Sequence, residues 1–159
     1  MHCYTIDSEN FKASDFSPCP VENNEYLLRI TLHPEHIDNG QILSSAISTT
    51  DLESRGYSVE RKKYTDISKI CEKARNQIQK KPESREFAEI AEMLCEDIRS
   101  LEFNQERAFL VIDDALEDNI AHASIYAAIK PCPKSILRQL RNQLTPFLEN
   151  RTELNLTGE

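Results

Sequence analysis

Residues 121–129 read AHASIYAAI, and apolar side chains alternate with polar ones along the whole stretch. One face carries Ala121, Ala123, Ile125, Ala127 and Ile129, and the other carries His122, Ser124 and Tyr126. Strict alternation predicts a half-buried β-strand, because successive side chains of a strand point to opposite faces of the sheet. Two prolines at 131 and 133 end the stretch, since proline removes a backbone donor from the ladder.

Three further strands are predicted. Residues 26–32 (YLLRITL) alternate in the same way, with leucines and isoleucine on one face and Arg29, Thr31 and His33 on the other. Residues 57–60 predict a short strand. Residues 108–112 (AFLVI) are continuously apolar, which is typical of a central strand buried on both faces.

Three segments carry helical spacing of apolar residues: 66–81, with Thr65 or Asp66 as N-cap, 84–102, and 134–145. Together with the strands, they predict an α+β fold. We expect a small, mainly antiparallel sheet with about three helices packed on one face.

The 159 residues correspond to one domain. Residues 1–25 contain two prolines and few apolar residues, which predicts an extended or loosely ordered arm. The single α+β domain then covers residues 26–149. Residues 150–159 are polar and predict a frayed tail.

The chain is acidic, with 19 Lys+Arg against 27 Asp+Glu and a net charge of −8. This argues against general nucleic-acid binding, which depends on basic residues. Residues 1–60 hold 3 basic and 10 acidic residues, a net of −7. No apolar run is long enough for a membrane span, and the N-terminus lacks the pattern of a secretory signal. Five cysteines in no CxxC spacing predict free thiols and a cytoplasmic setting.

The polar faces of the strands at 26–32 and 121–129 supply the candidate site. If both faces point to the same side, imidazole, guanidinium and hydroxyl groups meet there and could bind an anion or transfer protons. The catalytic candidates are Arg29, Ser45, His122 and Ser124, and the binding candidates are Arg29, His33, His36, Ser58, Asn119, His122 and Tyr126. The alternative is an ordinary solvent-facing side of an antiparallel sheet.

No cofactor or metal is predicted. Only 3 glycines are present, without a phosphate-binding loop motif. A zinc site from His33, His36, Asp38, His122 and Cys132 has the right ligand types but generic spacing. The carboxylate run Asp113, Asp114, Glu117 and Asp118 lacks the pattern of a calcium loop, and we interpret it as a solvated loop.

Three stretches resemble, in this order, an uncharacterised family of small bacterial proteins. They are residues 28–37 with their Arg-hydrophobic strand and His turn, residues 44–61 with a Ser-Ser-Ala segment and a Ser-Val strand, and residues 114–141 with Asn119 and Ala-His-Ala. The family has no assigned activity, so the resemblance implies a bacterial, cytosolic setting but no reaction. It directs attention to Arg29, His36, Ser45, Ser58, Asn119 and His122. The helical insert near 66–104 and the N-terminal arm depart from the family pattern.

Three functions are compatible with these patterns. The first is a non-enzymatic accessory protein of a bacterial multi-protein system, whose acidic N-terminal half faces a protein partner with a basic surface. The second is an enzyme acting on a nucleotide or a nucleic-acid end, with Arg29 holding phosphate and His122 as acid or base. It requires Arg29 and His122 on the same sheet face. The third is a regulatory or structural homo-oligomer.

Overall fold

The chain forms ten strands and three α-helices in a computed structural model that describes residues 3–157. The strands are β1 Tyr26–Pro34, β2 Ile37–Asp38, β3 Gln41–Ile42, β4 Tyr57–Arg61, β5 Arg85–Leu94, β6 Glu102–Phe103, β7 Glu106–Arg107, β8 Phe109–Ile112, β9 His122–Ala127 and β10 Arg151–Glu153. The helices are α1 Ile67–Lys80, α2 Cys95–Arg99 and α3 Lys134–Leu144.

Six of these strands build one antiparallel sheet in the order β10-β5-β1-β4-β9-β8. The predicted α+β fold with an antiparallel sheet is therefore confirmed. Helices α1 and α3 form where helical spacing predicts them. Asp66 caps α1 by accepting a hydrogen bond from the backbone N–H of Lys69 at 2.9 Å.

The helices lie on both faces of the sheet rather than on one. On the face that we call the first, Leu28, Ile30 and Leu32 of β1 pack in one cluster with Ile70 and Ala74 of α1. On the opposite, second face, Leu27, Tyr57 and Val59 pack with Leu137 and Leu140 of α3. Both faces need cover because β1 carries apolar residues at odd as well as even positions at its start.

The predicted helix over 84–102 is wrong for most of its length. Residues 85–94 form strand β5, which pairs with β1 from Tyr26↔Leu94 to Pro34↔Arg85, and only Cys95–Arg99 is helical. The residues of β5 have high helix propensity, but long-range pairing on both sides outweighs that preference. Ala88 and Ala91 are each fully buried, on opposite faces, which a helix stripe does not explain.

The apolar strand near 108–112 is buried on both faces as expected, but it lies at the edge of the sheet and not at its centre. The N-terminal arm provides the missing cover. Tyr4 and Ala13 pack on Leu110 and Ile112. The Glu9 carboxylate accepts a hydrogen bond from the Val111 N–H at 2.7 Å, which blocks further pairing at this edge.

Segments near both ends of the described residues contact the sheet. The Glu9 carboxylate also accepts from Arg99 at 2.9 Å and from Arg107 at 2.6 Å, and so ties the arm to α2 and β7. At the other end, Arg151–Glu153 pairs with β5 and forms the opposite edge of the sheet. Among the described residues, no helix is both long and apolar enough to cross a membrane.

Candidate functional site

A serine, a histidine and an aspartate lie next to one another on the first face. His122 of β9 lies directly across from Glu60 of β4, and Ser58 lies two residues along β4, so its side chain is a diagonal neighbour of His122 on the same face. Ser58 Oγ is 3.1 Å from His122 Nε2. His122 Nδ1 is 3.0 Å from Oδ1 of Asp114, which follows β8 in the loop.

The surroundings of the imidazole define its tautomer. Nδ1 faces two acceptors, the Asp114 carboxylate and, at 3.0 Å, the Asp114 backbone carbonyl. Neither can donate, so Nδ1 carries the proton in the neutral ring. The lone pair is then on Nε2, where it accepts the hydrogen bond from the Ser58 hydroxyl. This is the arrangement in which a histidine acts as a general base toward a serine.

Electrostatics favour a basic imidazole. Burial lowers the pKa of His122, but the hydrogen bond and charge of Asp114, with a further contribution from Glu60, raise it above its ordinary value. Glu60 is held by Asn119 Nδ2 at 3.0 and 3.1 Å and by Lys73 Nζ of α1 at 3.3 Å. The site thus contains two carboxylates, of which one is paired with a cation and the other with the imidazole.

The hydroxyl of this chain is accessible. Ser58 is exposed, whereas His122 and Asp114 are partly buried, with side chains 16 % and 19 % exposed. A cavity of about 480 Å³, to whose lining Ser58, His122 and Asp114 do not contribute, lies between α1 and the loop at 117–120, and Lys73 and Asn119 line it. Because both of these residues also hold Glu60, the cavity adjoins the strand position across from His122. Its size fits a small-molecule substrate.

The structure separates the pair on which the nucleotide hypothesis depends. By the register Leu28↔Glu60↔His122, the even positions of β1 share the first face with His122, whereas Arg29 points to the second face. The Arg29 guanidinium lies 4.1 Å from the centroid of the Tyr57 ring, and its Nη1 donates to the Ser58 carbonyl at 2.8 Å. Arg29 and His122 therefore do not form one site.

The remaining histidines and Ser45 also lie elsewhere. His33 pairs with Glu89 and stacks on Phe87 at a centroid distance of 4.2 Å. His36 Nδ1 accepts the Leu32 N–H at 3.1 Å, and Ser45 donates to the Glu35 carbonyl at 2.5 Å. Among residues 3–157, no group of three or more His, Cys, Asp and Glu side chains is arranged to hold a metal ion.

The other candidates surround the Ser58–His122–Asp114 chain. Tyr126 donates its hydroxyl to Asp114 Oδ2 at 3.3 Å. Burial and the Asp114 charge raise the pKa of Tyr126, so the donor stays protonated. Ser124 faces Ser58 across the strands but is 1 % exposed. It packs under Gly56, where an added Cβ would come within 2.6 Å of its Oγ.

Asp114 is the member of the candidate site that sequence reasoning missed. It belongs to a run of four carboxylates within six residues, and the sequence alone makes that run look solvated. Its neighbour Asp113 is 2 % exposed. The one local indication of burial is the place of Asp113 and Asp114 in the sequence. Both directly follow a buried apolar strand, where a loop is held against the sheet.

Most of the carboxylates in residues 1–60 form ion pairs. Of the ten carboxylates there, six pair with basic side chains within 4 Å: Glu9, Glu22, Glu25, Glu35, Asp51 and Glu60. The negative charge of this half is therefore largely offset within the fold. The hypothesis of an acidic surface that faces a basic partner stays a prediction, with less free charge than the sequence indicates.

Comparisons with protein-family models, with curated proteins and with solved structures gave no match.

Proposed function

We propose that the protein is a serine hydrolase of small carboxylic esters, with Ser58 as nucleophile, His122 as general base and Asp114 as the residue that orients the histidine. The observation that carries the proposal is the row of Ser58, His122 and Asp114. Ser58 Oγ lies 3.1 Å from His122 Nε2, and His122 Nδ1 is hydrogen-bonded to the Asp114 carbonyl at 3.0 Å, with Oδ1 of the Asp114 carboxylate also 3.0 Å away. Such triads are recognised by geometry and roles and occur on unrelated folds.

The reaction follows from the tautomer. Ser58 Oγ attacks the carbonyl carbon of the ester, and its proton moves to His122 Nε2. The imidazolium so formed keeps its Nδ1–H toward Asp114, whose negative charge stabilises it. The Nε2 proton then passes to the departing alkoxide, which leaves as an alcohol and an acyl-Ser58 intermediate remains.

Water completes the cycle. It attacks the acyl carbon, gives one proton to Nε2, and releases the carboxylic acid while Ser58 recovers its proton. Each step uses the same base, so the rate depends on neutral His122. Activity should therefore rise with pH through the raised pKa of His122 and level off above it.

The proposal includes a cytoplasmic setting. All five cysteines, at positions 3, 19, 71, 95 and 132, are free thiols, and two of them, Cys71 and Cys95, are buried. Free thiols persist in a reducing compartment.

The test is hydrolysis of 4-nitrophenyl acetate by the purified full chain and by Ser58→Ala. Loss of the nucleophile should reduce kcat by at least about 10³-fold, as in other serine triads. Ser54→Ala is the matched control, because Ser54 is half-buried and its hydroxyl donates to the Thr50 carbonyl at 3.2 Å rather than to His122. Equal rates for Ser58→Ala and the wild type, or a wild type no faster than buffer, would refute the proposal.

A further inference from the structure

The two residues that flank Asp114 are both bonded to the N-terminal arm. Asp113 Oδ1 accepts the Ala13 N–H at 2.9 Å, and Asp113 Oδ2 accepts the hydroxyl of Ser17. On the other side, the Ala115 carbonyl accepts the hydroxyl of Ser14 at 2.6 Å. Residues 13–17 of the arm thus hold the backbone of the Asp114 loop immediately before and after the catalytic carboxylate.

The contact between Ser17 and Asp113 is buried, and the other two are partly buried. Asp113 is 2 % exposed and Ser17 is 3 % exposed. A carboxylate that accepts two hydrogen bonds in such a place fixes its partners strongly, because breaking either bond leaves a buried polar group without a partner.

A second route connects the arm to the same carboxylate. The Tyr4 ring packs against Tyr126 at a centroid distance of 5.3 Å, and Lys130 Nζ donates to the Tyr4 carbonyl at 2.5 Å. Tyr126 in turn donates to Asp114 Oδ2. The arm therefore reaches one oxygen of Asp114 through Tyr126 and the backbone of Asp114 through Asp113 and Ala115.

The loop between β8 and β9 also has hydrogen bonds of its own. The Ala115 N–H donates to the Asp113 carbonyl at 2.9 Å, and Leu116 and Asn119 form an isolated bridge beyond Asp114. The arm adds hydrogen bonds to the residues on either side of Asp114.

We infer that the N-terminal arm is a positioning clamp that regulates this site: docking of residues 13–17 fixes the Asp114 carboxylate against His122, and release of the arm disables the serine. The inference depends on the proposed hydrolase function. A docked arm gives an oriented base, and an undocked arm leaves Asp114 free to rotate toward solvent. A displacement of about 1 Å at such a position costs up to about 10²-fold in rate.

The test combines Ser14→Ala with Ser17→Ala in the full chain. Neither serine is hydrogen-bonded to Ser58, His122 or Asp114. Besides the loop, Ser14 bonds only the Phe16 N–H and Ser17 only the Cys19 carbonyl, both within the arm. Ser8→Ala is the matched control within the arm, because Ser8 is bonded to Thr5 and not to the loop. If the double variant does not fold, Ser17→Ala alone replaces it.

The decisive readout is the pKa of His122, measured by NMR of its imidazole, which needs no substrate. The other charged groups that face this ring are Glu60 of β4 and, through Glu60, Lys73 of α1, and neither contacts the arm. We expect the clamp variant to lower the pKa of His122, to lower kcat about 10- to 100-fold and to leave KM unchanged.

Asp113→Asn is the conservative comparison. Its side-chain oxygen can still accept the Ala13 N–H and its amide can donate to the Ser17 hydroxyl, so it should retain most of the clamp. An unchanged His122 pKa in the folded Ser14→Ala/Ser17→Ala variant, with the Ala13 amide open to hydrogen exchange, would overturn the inference. A wild type without ester hydrolysis would refute the hydrolase instead, and the NMR result would still decide whether the arm positions Asp114.

Discussion

His36 is the histidine whose titration should govern the acid stability of this fold. Its ring Nδ1 accepts the Leu32 N–H at 3.1 Å, and its backbone N–H donates to the Leu32 carbonyl at 2.7 Å. Only 12 % of the side chain is exposed. Protonation of Nδ1 would place its N–H against the Leu32 N–H, so that two donors would face each other, and it would also bury a charge.

The magnitude follows from the pKa. Burial, aided by the charge of Arg29, lowers the pKa of His36 from 6.5 to about 4, although Glu35 opposes the shift. As the pH falls below 6.5, His36 binds a proton in the unfolded chain but stays neutral in the folded chain. The fold therefore loses stability until His36 is protonated in both states, below pH 4. By linkage, the loss between pH 7.5 and pH 5 is about 2 kcal/mol, out of about 3 kcal/mol in total.

The assay is urea denaturation of the wild type and of His36→Asn at both pH values. Asparagine can accept the Leu32 N–H with its side-chain oxygen but does not titrate. The wild type should lose about 2 kcal/mol more than the variant between pH 7.5 and pH 5, and all other titrations cancel in this difference. Equal losses in both proteins would refute the assignment of a neutral, hydrogen-bonded His36.

Two further predictions concern stability. Arg61 is fully buried, and its guanidinium donates to the Glu25 carboxylate at 2.7 and 2.8 Å. In the same urea assay, Glu25→Gln should destabilise the fold by about 3 kcal/mol. The control Glu22→Gln, at a side chain 62 % exposed, should change the stability by less than about 0.5 kcal/mol. An unaffected Glu25→Gln would contradict the buried ion pair. Gly56 has φ +90° and its added Cβ would meet Ser124 Oγ at 2.6 Å, whereas Gly40 has φ +76° with open space. Gly56→Ala should therefore lower the melting temperature clearly more than Gly40→Ala, and equal effects would mean that backbone strain alone matters.

Local periodicity predicts the strands and helices whose pattern is unambiguous. The alternation at 121–129 and the capped helix beginning near Asp66 appear where expected. The segment at 85–94 does not, because Ala, Glu, Met and Leu prefer a helix locally and only pairing with β1 and β10 makes them a strand. The edge position of β8 also depends on a distant element, the arm that covers it.

The candidate site depends on the pairing register between strands, which local sequence patterns do not specify. A shift of one residue between β1 and β4 would bring Arg29 to the face of His122, and the observed pairing Leu28↔Glu60 puts it on the other. Ser58 and His122 are separate candidates in the sequence, and only the pairing Glu60↔His122 makes them neighbours. Asp114 joins them through a loop held from the arm, about 100 residues away in sequence.

The most direct measurement of the central claim is the position at which a fluorophosphonate probe attaches to the full chain. A serine activated by a neutral imidazole displaces fluoride and forms a phosphonate ester that peptide mass spectrometry can map. The Ser58–His122–Asp114 geometry predicts an adduct on Ser58, formed faster as the pH rises through the pKa of His122 and lost in His122→Gln. No adduct at Ser58, or labelling of Ser58 that is the same in His122→Gln, would contradict the account.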